Sequence, residues 1–330
     1  MQLTQPLLAD VFQAHQRIRD TVQRTPLIKS NWLSEFTGSE IYLKLECLQT
    51  TGSFKLRGAT NKILSLSEAE KQRGVIAVSS GNHGRAVAYV AQKHGLPAVI
   101  CVSETVPDNK VSAIQDLGAE VVVTGKTYDE ATEDALEVQR ERGLIMIHPF
   151  DDPQVIAGQG TIGLEIMDQL PDIDTVIVPL SGGGLLGGIA LALKSINPSI
   201  QTIGVSMDKG AAMIESLEAG SVVDIVEEVS LADALIGGLG IDNRYTFKIN
   251  QKYVDNTILV SEQEIAMGMT FALEVEHLVV EGGGAVGIAA LLAGKVANLG
   301  NKAVLVISGS NVSLSTLLIC AQGAYPYQGE

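Results

Sequence analysis

An α/β fold built on parallel sheets is predicted by two features: short Val- and Ile-rich runs alternate with helix-length amphipathic stretches, and glycines cluster where those runs end. The strand candidates are, in order, 41–46, 75–80, 97–102, 120–125, 175–180, 201–206, 257–261 and 302–308. Most are apolar throughout instead of alternating, the pattern of strands covered on both faces. The stretches 83–94, 110–117, 127–142, 185–196 and 262–277 read as helices between them, and Ser67 followed by Glu70 reads as a capping box. Strands and helices in this alternation require crossover connections packed on the sheets. At roughly 100–200 residues per domain, the 330 residues predict two domains.

The glycine clusters are Gly81, Gly182-Gly183-Gly184, Gly237-Gly238, Gly282-Gly283-Gly284 and Gly309. In open parallel sheets ligands sit at the carboxyl ends of the strands. Backbone bared by glycine at five such ends therefore predicts a ligand site.

Composition excludes other classes. With 23 basic and 38 acidic residues, the net charge of −15 argues against nucleic acid or an anionic membrane as partner. The apolar runs fall far short of the roughly 20 residues needed to span a bilayer. The N-terminus has no basic start followed by an apolar stretch, so no leader peptide is expected. Cys47, Cys101 and Cys320 are unclustered and odd in number, which predicts neither a disulfide framework nor a cysteine zinc site. The reading is a cytoplasmic protein.

Two segments carry chemistry. Gly182-Gly183-Gly184-Leu185 follows the run 175–180 and opens a helix, where unpaired N–H groups and the positive end of the dipole favour a phosphate. The spacing fits neither the nucleoside-triphosphate nor the dinucleotide motif, and a plain tight turn is the alternative. Lys55 begins a helix after strand 41–46, where the dipole and the like charge of Arg57 are expected to lower its pKa. A lysine of lowered pKa suits Schiff-base chemistry, and a solvated surface lysine is the alternative.

TGSFKLRGA (51–59), SSGNHG (79–84), HPFDDPQVIAGQGTIGLEI (148–166), SGGGLLGGIA (181–190), VVEGGGAVGIAAL (279–291) and VISGSN (306–311) occur in this order. Together they resemble the serine/threonine dehydratase family, whose members are fold type II enzymes, like tryptophan synthase β, that use pyridoxal 5′-phosphate (PLP). The resemblance implies two open, mostly parallel-sheet domains with PLP in the cleft between them. The larger would comprise 1–47 and 148–330, and the smaller 48–147. By the same resemblance Lys55 forms the Schiff base and acts as base, Phe54 flanks the ring, and Asn82 bonds its hydroxyl. Gly182, Gly183, Gly184 and Leu185 hold the phosphate, and Ser308 faces the pyridine nitrogen. Ser79, Ser80, Asn82 and His83 receive the substrate carboxylate, although His83 alone also reads as a helix-capping residue. Ser80 matches the acid/base serine of racemases. The implied reaction is β-elimination of water from a 3-hydroxy amino acid such as L-threonine or L-serine, giving a 2-oxo acid and ammonia. A serine racemase is the alternative, and a non-catalytic small-molecule-binding protein a remote one. The resemblance also implies a homodimer or homotetramer.

Two departures stand out. Some relatives bind a divalent cation through carboxylates just after the strand that here reads QTIGVS; Ser206 and Ala212 replace two of them, so no metal is expected. The segments 205–213 and 231–247 look like the hydroxyectoine-utilisation dehydratases, which implies an opened hydroxyectoine derivative as substrate, with Asp242 or Arg244 as candidate readers of its extra group. The chain ends about twenty residues after Ser308, so control by a C-terminal regulatory domain is not expected.

Overall fold

A computed structural model describes residues 5–323 except 105, 107, 127 and 241. The first residue of the helix expected at 127–142, and one position of the segment 231–247, lie outside the described residues.

Among the described residues, ten strands form two sheets. The larger is ordered β1 (Leu27–Ser30), β2 (Glu40–Lys44), β10 (Lys302–Val306), β7 (Thr175–Pro179), β8 (Gln201–Met207) and β9 (Asn256–Val260). The smaller is ordered β5 (Glu120–Val123), β4 (Ala98–Val102), β3 (Val75–Val78) and β6 (Ile145–Met146). Among these strands β1 and β2 pair antiparallel, and the other pairs are parallel. The chain thus leaves the larger sheet after β2, builds the smaller one, and returns at β7.

Side-chain alternation along each strand feeds two cores. Along β10, Ala303 and Leu305 enter one core, while Val304 and Val306 enter the other. Along β3, Val75 and Ala77 face one helix layer, and Ile76 and Val78 the opposite one. This double coverage is why the runs read as uniformly apolar. β5 differs, because it is an edge strand and leaves Val123 exposed. All eight expected strands are present within two residues at each end. The apolar pattern missed β1, a short antiparallel edge strand with an exposed centre, and the two-residue β6. The Ser67–Glu70 capping box is present, with Ser67 Oγ accepting from Glu70 N at 3.3 Å.

Helix Lys55–Leu64 is seated on helix Pro153–Gln169 at very short range. A Cβ on Gly158 would lie 2.7 Å from the Arg57 carbonyl, so only glycine admits this approach. Beneath it, Arg57 bonds Glu46 (2.8 Å) and Glu165 (2.6 Å), and Lys44 bonds Glu165 (2.6 Å). All four side chains are buried. The cluster ties the start of the lysine-bearing helix to β2 and to helix Pro153–Gln169.

Candidate active site

The carboxyl ends of β3, β7 and β10 converge on one cavity of about 560 Å³. The strand expectations overran the strands here. Residues 79–80 and 308 lie past the strand ends and line the cavity, whereas Leu180 and Ile307 stay buried in the cores and donate backbone bonds to Val205 and Lys44. Phe54, Lys55, Ser79, Ser80, Asn82, His83, Gly182, Gly183, Gly184, Leu185 and Ser308 all line it.

Lys55 is the first residue of its helix. Its Nζ donates to the Pro149 carbonyl at 2.9 Å and lies 5.4 Å from the centre of the Phe54 ring. Burial lowers its pKa to about 8, against a smaller upward pull from Glu281. The expected influence of Arg57 is corrected here: its charge is absorbed by Glu46 and Glu165, and it is not among the groups that shift Lys55. Desolvation does what the neighbouring cation was expected to do.

Helix Asn82–His94 starts without a side-chain cap, leaving its first N–H groups open toward the cavity. Close packing imposes this start, because a Cβ on Gly84 would lie 2.1 Å from the Ser79 carbonyl. His83 is buried, and its Nε2 lies 2.7 Å from the Ile147 carbonyl. A carbonyl only accepts, so Nε2 carries the hydrogen. Burial first, then the Lys55 charge, pushes the His83 pKa down to about 3, so the ring is neutral.

Asn82 is held at both ends of its amide. Its Nδ2 donates to Glu281 Oε1 at 2.7 Å, and its Oδ1 accepts from Asn311 Nδ2 at 2.5 Å. Glu281 also accepts from Asn311 N at 2.9 Å. Burial, and then the charge of Asp233, push the Glu281 pKa up to about 7. Sequence reasoning assigned Glu281 no role. The available signal was a carboxylate inside the motif 279–291, immediately before three glycines that open a helix.

The loop after β7 forms a bare backbone cradle. A Cβ on Gly182 would lie 2.4 Å from the Phe150 ring. Gly183 has φ +80° and precedes helix Gly184–Ile196, which has no side-chain cap. Ser308 is buried at the end of β10, and its carbonyl accepts from Phe54 N at 3.0 Å. PLP fits these residues: a desolvated amine on the cavity wall, a glycine cradle at an uncapped helix start, and a hydroxyl between them. Asp242 and Arg244, by contrast, do not line the cavity; Arg244 N donates to Asp151 Oδ2 at 2.7 Å.

The family model described as pyridoxal-phosphate dependent enzyme matches residues 18–309. The chain belongs to that family. Within it, the chain is 51% identical to a putative threonine dehydratase of Sinorhizobium fredii over 307 residues, covering 93% of this chain and 92% of the relative. It is 46% identical to the L-threonine ammonia-lyase of Thermotoga maritima, covering 94% of this chain and 77% of the relative. Among solved structures, maize serine racemase superposes with a TM-score of 0.91 at 35% identity, covering 96% of both chains. The tomato (Solanum lycopersicum) threonine deaminase isoform 2, in its processed form, superposes with a TM-score of 0.87 at 37% identity, covering 96% of this chain and 94% of that one. These matches place the chain in the serine/threonine dehydratase branch of the PLP enzymes, with the type II fold.

Among the described residues, no helix is long and apolar enough to cross a membrane, and no three His, Cys, Asp or Glu side chains cluster as a metal site.

Proposed function

We propose that this chain is a PLP-dependent dehydratase of the ammonia-lyase type. It removes water from a 3-hydroxy amino acid of the L-threonine or L-serine kind and yields a 2-oxo acid and ammonia. The observation that carries the reading is the amine of Lys55, desolvated on the cavity wall and held at a pKa of about 8, so that near neutral pH about a tenth of it is unprotonated, far more than for an ordinary lysine. The names of the threonine dehydratase and ammonia-lyase relatives support the same reaction.

PLP supplies an electron sink for the bond broken at the substrate Cα. Gly182, Gly183, Gly184 and Leu185 hold its phosphate, Asn82 its ring hydroxyl, Phe54 its face and Ser308 its ring nitrogen. A hydroxyl at that nitrogen suits a neutral ring. Ser79, Ser80 and the open N–H groups at the start of helix Asn82–His94 take the substrate carboxylate. Neutral His83 shapes that loop through Ile147 and adds no charge. Lys55 takes the Cα proton, a role that requires its neutral form.

The smaller lobe, 48–147, closes over the cavity. The protein works in the cytoplasm as a homodimer or homotetramer. Its preferred substrate is an opened hydroxyectoine derivative of the 3-hydroxy-2,4-diaminobutyrate type; Gly237 and Gly238 leave the cavity wall small on that side.

Steady-state comparison of L-threonine, L-serine and the opened derivative tests the reading, with 2-oxo acid and D-amino acid both measured. Racemisation outpacing 2-oxo acid release overturns the dehydratase in favour of a serine racemase, in which Ser80 on the cavity wall would serve as the second acid/base. A kcat/KM highest by far for L-threonine keeps the dehydratase and removes the hydroxyectoine assignment.

A further inference from the structure

Helix Thr246–Tyr253 lies behind the glycine loop, and its start is fixed by Asp151. One Asp151 oxygen accepts from Arg244 N at 2.7 Å, and the other accepts from Tyr245 N and Thr246 N at 2.9 Å each. A carboxylate across the first amides of a helix is a favourable and orienting contact. One turn on, this helix delivers Asn250 to the loop.

Asn250 is fully buried. Its Nδ2 donates to the Thr246 carbonyl at 2.8 Å and to the Gly183 carbonyl at 2.9 Å. Both partners only accept, so the orientation of the amide is fixed by its neighbours. Its Oδ1 is buried without a hydrogen-bond partner. An orphan oxygen costs free energy that an apolar side chain of similar size would not, so packing does not account for asparagine here. The donated hydrogen bonds do.

Gly183 is the sharp corner of the loop, with φ +80°. A Cβ there would lie 2.3 Å from Asn250 Nδ2 and 2.5 Å from Met213 Cε, so these two side chains fill the space behind it. In a trans peptide the carbonyl and the following N–H point in opposite directions. The Gly183 oxygen accepts from Gly187 N at 2.9 Å within the helix and from Asn250 as a second donor, and the two together fix the direction of the Gly184 N–H; Gly184 lines the cavity.

We infer that Asn250 is a positioning residue for anion binding. It locks the Gly183–Gly184 peptide and so sets the affinity for the phosphate of PLP. The inference rests on the reading of 182–185 as the phosphate loop.

The test separates phosphate from ring. Full-length wild-type protein and the Asn250→Ala variant are freed of cofactor, then titrated with PLP and with pyridoxal, which lacks the phosphate; imine absorbance reports binding. The wild type is expected to bind PLP far more tightly than pyridoxal. In Asn250→Ala the Kd for PLP is expected to rise about tenfold, equivalent to about 1.4 kcal/mol, while that for pyridoxal stays within about twofold. Equal losses for both ligands overturn the inference, because Asn250 would then be supporting the fold alone. An unchanged PLP Kd also overturns it and leaves the phosphate loop standing. A wild type that binds both ligands alike removes the phosphate-loop reading and the inference together. Asn250→Leu, which removes the orphan oxygen and keeps the volume, gives the same comparison where the alanine variant fails to fold.

Discussion

Lys55 and Arg57 stand two residues apart on one helix, both removed from water, and meet opposite fates. Arg57 is met by the carboxylates of Glu46 and Glu165, which push its pKa up and keep it charged. Lys55 is met by a carbonyl oxygen and an aromatic ring, and its pKa falls to about 8. Glu281 repeats the second pattern: its carboxylate is bonded by the neutral groups of Asn82 and Asn311, and its pKa rises to about 7. Burial with a counter-charge preserves an ion; burial without one drives the group toward its neutral form. The paired cluster makes a scaffold, and the unpaired groups line the cavity.

The sharpest break of this contrast comes from Lys55→Ala. Turnover is expected to fall by about four orders of magnitude or more, since both the imine and the base are lost. Stability of the cofactor-free protein at neutral pH is expected not to fall, because no carboxylate is stranded and a buried charge without a counter-ion is removed. Steady-state rates and urea unfolding check both halves. If turnover persists, Lys55 is not the base.

Arg57→Ala is expected to do the reverse to stability. It strands Glu46 in the interior and leaves Glu165 with Lys44 alone, a cost of about 3–5 kcal/mol. A loss under about 1 kcal/mol in urea unfolding would show that the cluster is solvated and that pairing is not what holds this helix.

Glu281 gives a pH-dependent arm. Its folded-state pKa of about 7 lies above the ordinary 4.5, so between these values the folded state binds the proton more tightly than the unfolded state does. The unfolded state then carries fewer protons, and stability falls as pH rises from about 4.5 to about 7, by up to about 3 kcal/mol. Lys55 acts in a separate window: its lowered pKa makes stability rise with pH between about 8 and 10.5. In cofactor-free Glu281→Gln the decline between pH 4.5 and 7 is expected to flatten, while Asn82 keeps an acceptor. Unfolding midpoints across that range decide the matter, and an unchanged slope would assign the titration elsewhere.

The same contrast explains what was legible in the sequence. Val and Ile runs announce the strands covered on both faces and also the partly exposed edge strands β5 and β9, so β2 to β5 and β7 to β10 could be placed in advance. β1 has an exposed centre, and β6 spans two residues, so neither carries a hydrophobic period. The glycine cradle and Lys55 were visible because their chemistry is local to one loop or one turn. The partners of Arg57 were not, because Glu46 and Glu165 lie 11 and 108 residues away in the chain. Glu281 reaches Asn82 across 199 residues. Asn250 is hidden for the same reason: its service to Gly183 spans 67 residues and depends on a helix that Asp151 anchors from another segment.

The smallest expected effect concerns cations. At the end of β8, Ser206 is buried with its hydroxyl unpartnered, and Ala212 offers no side-chain oxygen. Asp208 in the same segment is exposed. A hard cation needs several oxygen ligands, carboxylates foremost, and a buried ion without counter-charge is the situation that the Arg57 cluster avoids. Here Met213 and Asn250 fill the space behind Gly183 instead. Activity is therefore expected to change by less than about twofold, the scale of about 0.4 kcal/mol, when EDTA is added or when Mg²⁺ or Ca²⁺ is supplied. A large loss in EDTA that returns with the cation would mean that Asp208 turns inward to recruit one, and that charge, not amide donors, steadies the loop behind the cavity.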